Sequence, residues 1–276
     1  MMSKWYEIAM TASEGTRHVL GLSGGKDSAA LAVYIKDNYP ELSEKLEYFF
    51  TDTGAELQEV YDTLEKLEGY LGKPINRLGS ENTFEHWLKL HNDYLPSPRQ
   101  RWCTRKMKIE PFEAYVGDDP VISYIGIRAD ENREGYISKK ASIKPLFPFS
   151  EDGIVRDQVF EMLENSIGIP EYYEWRSRSG CFFCFFQRQD EWLGLKRRHP
   201  ELFEKAKEIE QVSGGGYTWV QGKTLDEVVA RAEEREKDAL ANGSTVSKKK
   251  TNQRWQDVLR YDEEDDESQA CTICSL

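Results

Sequence analysis

Apolar positions along the first 130 residues come in short blocks, each closed by a polar turn. Residues 17–22 read as a buried strand, and residues 28–38, ending near Pro40, as a helix. Residues 46–51, with Tyr48-Phe49-Phe50 at their centre, predict a second buried strand that stops in Asp52-Thr53-Gly54. Leu57, Val60, Tyr61, Leu64 and Leu67 recur at helical spacing and predict an amphipathic helix over 56–70. Residues 75–78 and 121–127 predict a third and a later strand. This alternation points to an α/β fold, a Rossmann-like parallel sheet with helices on both faces. Ligands of such sheets lie beyond the carboxyl ends of the strands, so the turns at 23–28 and 52–54 should share one edge.

From about Ile154 the pattern turns helical, with Trp, Tyr and Phe in excess. Ser213-Gly214-Gly215-Gly216 reads as a joint, residues 225–240 as a charged, solvent-facing helix, and residues 242–251 with the acidic run 262–267 as linker and tail. The expected division is an α/β domain over 1–145, a mostly helical cysteine-bearing region over 146–212 and a flexible helical and acidic tail over 213–276.

The formal charge of −12 over 276 residues argues against indiscriminate coating of nucleic acid, which needs clustered Lys and Arg. A local basic groove is compatible with it. No apolar run is long enough to cross a membrane, and the first residues lack a signal-peptide pattern, so a cytoplasmic protein without membrane contact is expected. Five cysteines, an odd number, then suit thiols or metal ligands better than a disulfide framework.

Chemistry concentrates first in Ser23-Gly24-Gly25-Lys26-Asp27-Ser28. Two glycines let backbone amides approach an anion, the helix they open aims its free N–H groups at it, and Ser23 and Ser28 add hydroxyl donors. The NTPase P-loop pattern fails, because Leu20 stands where its first glycine should be and Asp27 where its magnesium-binding hydroxyl should be. The hexapeptide resembles instead the Ser-Gly-Gly-x-Asp-Ser signature of the PP-loop ATP pyrophosphatases. That resemblance implies cleavage of ATP between its α- and β-phosphates, with AMP transferred to an oxygen.

A carboxylate at Asp52, after an apolar strand, suits a ribose hydroxyl or a magnesium ion. Arg128 and Arg133, in Gly126-Ile127-Arg128-Ala129-Asp130-Glu131-Asn132-Arg133, suit bidentate phosphate contact. This segment, Thr51-Asp52-Thr53-Gly54 and the glycine loop occur in the order of the phosphoadenosine phosphosulfate (PAPS) reductase branch of the PP-loop family, and the resemblance covers about residues 15–200.

Cys103 lies among Arg99, Arg101, Arg105, Lys106 and Lys108, a setting expected to lower its pKa. Cys181-Phe182-Phe183-Cys184 is a loop of the kind that holds zinc or an iron–sulfur cluster. Iron–sulfur sulfonucleotide reductases carry a Cys-Cys pair where this chain has Trp102-Cys103. The resemblance therefore implies a three-ligand site of Cys103, Cys181 and Cys184 for a 4Fe–4S cluster, with zinc as the alternative. Cys271 and Cys274 form a second pair on the tail, able to add a ligand, pass a persulfide or do nothing. The basic residues around Cys103 and a second group, Arg188, Lys196, Arg197 and Arg198, should face each other if the cysteines share a metal.

Trp-Cys-Thr-x-Lys and Cys-x-x-Cys-Phe-Phe segments bring the chain nearest to the ATP pyrophosphatase component of bacterial DNA phosphorothioation systems of the Dnd or Ssp kind, which serve anti-phage defence. By that resemblance Ser23, Gly24, Gly25, Lys26, Asp27 and Ser28 hold pyrophosphate, Asp52 with Thr53 and Gly54 holds ribose or Mg2+, and Arg128 and Arg133 clamp phosphates. Cys103, Cys181 and Cys184 deliver sulfur to an adenylated DNA phosphate. A cysteine desulfurase and other phosphorothioation proteins are the implied partners. A PAPS or adenylylsulfate reductase and a tRNA-thiolating enzyme are the alternatives, the first disfavoured where its Glu-Cys-Gly motif is not found.

Overall fold

A computed structural model describes residues 3–131, 138, 140–213 and 216–241. Five strands, β1 (Arg17–Gly21), β2 (Leu46–Asp52), β3 (Ile75–Gly79), β4 (Val121–Tyr124) and β5 (Ile143–Leu146), form one sheet in the order β3-β2-β1-β4-β5. Every neighbouring pair is parallel. The helices in chain order are α1 (Lys4–Met10), α2 (Lys26–Asn38), α3 (Pro40–Lys45), α4 (Gln58–Leu71), α5 (Phe84–Leu90), α6 (Trp102–Thr104), α7 (Glu110–Val116), α8 (Pro148–Glu151), α9 (Arg156–Glu164), α10 (Gln189–Arg198), α11 (Pro200–Val212) and α12 (Leu225–Ala241). A π-helical turn, Arg105–Ile109, joins α6 to α7.

The α/β class and the parallel sheet are as the apolar blocks predict. The central strands are buried along nearly their whole length, which is why β1, β2 and β4 read as continuous apolar runs rather than alternating ones. The chain leaves β1 to β2 on one side and returns to β4 on the other, so β1 ends at a switch point. Leu22 N donates to Phe49 O at 2.7 Å, carrying the ladder to the start of the glycine loop. Helix α2 buries Ala29, Ala30, Leu31, Ala32, Val33 and Ile35, so it is a core helix packed against α9.

Two elements escape the sequence pattern. Strand β5 is only Ile-Lys-Pro-Leu, and its proline is tolerated because β5 is the edge strand. Helix α1 is held by tertiary contacts. Trp5 is fully buried, its Nε1 donating to Asp152 Oδ2 at 2.9 Å, and Ser3 Oγ donates to Asp152 Oδ1 at 2.5 Å.

Residue 145, where the α/β domain was expected to end, falls within β5. The main apolar core runs without a break from Trp5 to Ala232. Helix α12 is not the all-round solvent-facing helix expected, since Leu225, Val228, Val229 and Ala232 are buried on the side packed against α10. Among the described residues no helix is long and apolar enough to cross a membrane. Arg133, Cys271 and Cys274 lie outside the described residues, as do the expected linker and acidic run.

Candidate nucleotide and thiol site

The glycine loop closes on itself through its two serines. Ser28 Oγ accepts from Ser23 N at 3.1 Å and stands 3.2 Å from Ser23 Oγ, while Gly25 N donates to Ser23 Oγ at 3.3 Å. Gly24 has φ +69°, and a Cβ built there would lie 2.5 Å from Val60 Cγ1 of α4. A Cβ on Gly25 would come within 2.7 Å of Ser179 Oγ. Both glycines are thus required by neighbours as well as by the turn. Gly25 caps α2 in extended conformation, directing the first helical amides into the loop, where they can meet an anion.

Asp27 anchors the loop from behind. Its Oδ1 accepts from Arg128 Nη1 at 2.9 Å and its Oδ2 from Lys26 Nζ at 3.0 Å. Burial opposes ionisation of Asp27, but Lys26 and Arg128 outweigh it and hold the carboxyl well below the usual range. Arg128 is 2% exposed and also pairs with Asp130 and Glu131, each at 2.8 Å. It therefore sits as a buried brace between β4 and α2, bound to three carboxylates. Gly126 lets β4 come this close, because a Cβ there would strike Asp27 O at 2.9 Å.

The expected shared edge is present. Asp52, Thr53 and Gly54 follow β2, beside the loop that follows β1. Asp52 Oδ1 accepts from Gly54 N and from Tyr61 Oη, both at 2.8 Å. Thr53 Oγ1 donates to Glu56 at 2.8 Å and lies 3.1 Å from Cys181 Sγ. Glu56, absent from the sequence-based candidates, is buried, and burial pushes its carboxyl up against the opposing influence of Lys108 and Thr53. Only its place two residues after Gly54 hinted at it.

The segment over 172–184 ties these parts together. Tyr172 Oη donates to Gly24 O at 2.6 Å, Tyr173 Oη accepts from Lys26 N at 2.8 Å, and Ser179 Oγ reaches Ser23 Oγ at 3.4 Å. Further on, Phe182 N donates to Ala55 O at 2.8 Å. Buried Arg176 donates to Gly180 O and Cys181 O at 3.0 and 2.8 Å and shapes the turn that carries the cysteines. Tyr172, Tyr173 and Ser179 had no spacing to mark them, since they reach the loop from about 150 residues away.

Cys103, Cys181 and Cys184 line one cavity of about 40 Å³, walled mainly by Phe84, Phe183, Phe186 and Trp219. The juxtaposition expected of the three thiols is there. Among the described residues, however, no group of three or more His, Cys, Asp or Glu side chains is set to hold a metal ion. In this arrangement Cys181 Sγ is engaged with Thr53 and, at 3.7 Å, with Glu56. The predicted low pKa of Cys103 is also overturned. Burial, and then Cys184, push its thiol up to about 12, against the opposing pull of Lys108. The sequence neighbours Arg105 and Lys106 are turned away to Glu110.

The two basic groups do not face each other as expected. Lys196 and Arg197 pair with Glu233 and Glu236 of α12, and Arg198 with Glu174. Arg101 and Arg178 instead lie over Phe186, a residue of the cavity wall, their guanidinium carbons 5.0 and 5.8 Å from its ring centroid.

Fold and site thus define an α/β domain whose glycine loop adjoins a thiol cavity. Residues 17–148 match the phosphoadenosine phosphosulfate reductase domain family. Two uncharacterized proteins of Methanocaldococcus jannaschii are similar. MJ0066 is 29% identical over 200 residues, covering 68% of this chain and 40% of that protein, and MJ0973 is 24% identical over 221 residues, covering 74% and 50%. The chain spans half or less of the length of these curated relatives. A crystal structure of PAPS reductase from Candida auris, in complex with phosphate, superposes with a TM-score of 0.47 at 16% identity, covering 66% of this chain and 96% of that one.

Proposed function

We propose that this chain is an ATP pyrophosphatase that places AMP on a phosphate oxygen of DNA and supports replacement of that oxygen by sulfur. An anionic phosphate oxygen of the acceptor attacks the α-phosphorus of ATP, the bond to the β-phosphate breaks, and pyrophosphate leaves. The amides of Gly25 and Lys26, the Ser23 and Ser28 hydroxyls and Lys26 Nζ offset the charge that builds on the leaving group. Asp52 has Oδ2 without a partner among the described residues and serves a ribose hydroxyl or Mg2+. Arg128 acts from behind by keeping Asp27, and so the loop, in place. A cysteine desulfurase leaves a persulfide on one of Cys181 and Cys184, and its outer sulfur attacks the adenylated phosphorus as AMP departs with the acceptor oxygen. The thiol of the other cysteine then attacks the inner sulfur, the bond to the outer sulfur breaks to release the phosphorothioate, and the resulting disulfide is reduced by an external dithiol.

One observation carries this reading. The segment that touches Ser23 through Ser179 is the segment that bears Cys181 and Cys184, so phosphate loop and thiols share a wall. A sulfonucleotide reductase is the second reading, supported by the family match over 17–148. The two are separated by product. Release of AMP and pyrophosphate from ATP, lost in the folded Ser23→Ala/Asp27→Ala variant, supports the pyrophosphatase. Release of sulfite from a sulfonucleotide without ATP consumption selects the reductase. Pyrophosphate release persisting in the double variant removes the loop from the mechanism.

A further inference from the structure

Several surface cations of this acidic protein pair with its own carboxylates: Arg17 with Glu47, Arg105 and Lys106 with Glu110, Lys196 with Glu233, Arg197 with Glu236, and Arg235 with Asp190. Arg101 and Arg178 are distinguished by converging on one ring of the thiol cavity wall. Among the described residues neither has a carboxylate partner, although acidic residues outnumber basic ones by 49 to 37 in the chain. Both lie over Phe186, and Phe186 forms part of the thiol cavity wall, with Lys108 inside the same cavity. Arg101 is further oriented by its Nε donating to Pro98 O at 3.2 Å.

A guanidinium resting on an aromatic ring is held in one plane with little left to lose on binding, and its fork of N–H donors matches phosphate. Among the described residues neither arginine has an ion pair, and both are set on one ring of the thiol cavity wall, so the geometry favours a role beside the thiols. We propose that Arg101 and Arg178, astride Phe186, form the seat for the phosphodiester backbone of DNA, bringing an acceptor phosphate to the thiol cavity. This rests on the proposed function, whose acceptor is a DNA phosphate, and it says where that acceptor is gripped. Phe186 is buried beneath the two arginines, so the seat reads backbone charge and not bases.

The test uses the full chain and a fluorescein-labelled 20-nucleotide DNA, single-stranded and as duplex, with affinity measured across salt concentrations. Arg101→Ala/Arg178→Ala should weaken DNA binding by about tenfold or more and reduce the log–log salt slope by about 1.4 for the single strand. ATP affinity measured by calorimetry without DNA should be unchanged, and Lys196→Ala/Arg197→Ala should bind DNA as the wild type does. Equal DNA affinity in wild type and double variant overturns the seat. So does a preference for RNA of the same sequence, or competition by inorganic phosphate as effective as the strand at equal phosphate concentration. If the arginine-dependent DNA binding is found but ATP yields no pyrophosphate, the seat stands and the proposed reaction falls. If pyrophosphate forms and DNA ignores the arginines, the reverse holds.

Discussion

The phosphate loop and the thiol cavity lie on the same sheet edge but are built by opposite means. The loop is polar and local: Ser23, Gly25 and Ser28 bond one another within six residues, and the strand and helix that hold it flank it directly. The cavity is apolar and assembled from afar, with Thr53 after β2, Cys103 in α6, the Cys181 turn and Trp219 before α12. Anion binding depends on backbone amides that a short motif supplies, whereas thiol chemistry depends on what neighbours exclude or admit. Cys103 shows the cost of ignoring that difference, because the cations adjacent in sequence are spent on Glu110 while apolar surroundings keep the thiol protonated.

The severest way to break the contrast is to remove the brace beneath the loop. Arg128→Met leaves Asp130 and Glu131 without this cation and Asp27 with Lys26 alone, and should lower stability by about 3–5 kcal/mol in urea denaturation. A loss below about 1 kcal/mol would show that the brace is dispensable. Gly24→Ala forces a side chain into a left-handed turn against Val60, with an expected cost of about 1–3 kcal/mol and loss of pyrophosphate binding by calorimetry.

For the cavity, pH is the sharper tool. An unfolded thiol titrates near about 8.5, whereas folded Cys103 keeps its proton to about 12, so the folded state binds more protons between those values. Stability should be undiminished below about pH 8.5 and fall as pH rises, by about 1.4 kcal/mol at pH 9.5, and Cys103→Ser should lose that part of the slope. A profile unchanged by the substitution would contradict a buried, protonated thiol.

A smaller effect joins the two regions. Tyr173→Phe frees the Lys26 amide from its internal acceptor, so pyrophosphate affinity should rise about fivefold, equivalent to about 1 kcal/mol. Weaker binding would mean that Tyr173 serves the ligand directly. The smallest change is expected far from both regions, where Arg197→Ala removes an exposed pair to Glu236 and should shift stability by no more than about 1 kcal/mol without altering nucleotide binding.

The legible parts of the molecule are those in which neighbours in sequence are also neighbours in space. Strand β1, the glycine turn and helix α2 are one such unit, and the apolar run of β2 ending in Asp52-Thr53-Gly54 is another. Their order alone placed both turns on one edge, because parallel strands bring all their carboxyl ends to the same side. Strand β5 and helix α1 could not be read in this way, since four residues with a proline and a seven-residue helix carry too little periodicity to stand out.

By itself, then, the amino-acid order determined an α/β sheet and a glycine turn that opens a helix at the end of its first strand. Only the tertiary structure decided that Arg128 braces Asp27 from behind, that Tyr173 and Ser179 reach the loop, that Glu56 stands beside Cys181, and which arginines lie over Phe186 of the cavity wall. The physical reason is range. Turn geometry and amide direction are set over a few residues, whereas burial, charge pairing and the protonation of a thiol are set by whichever side chains the fold brings within a few ångströms, from any distance along the chain.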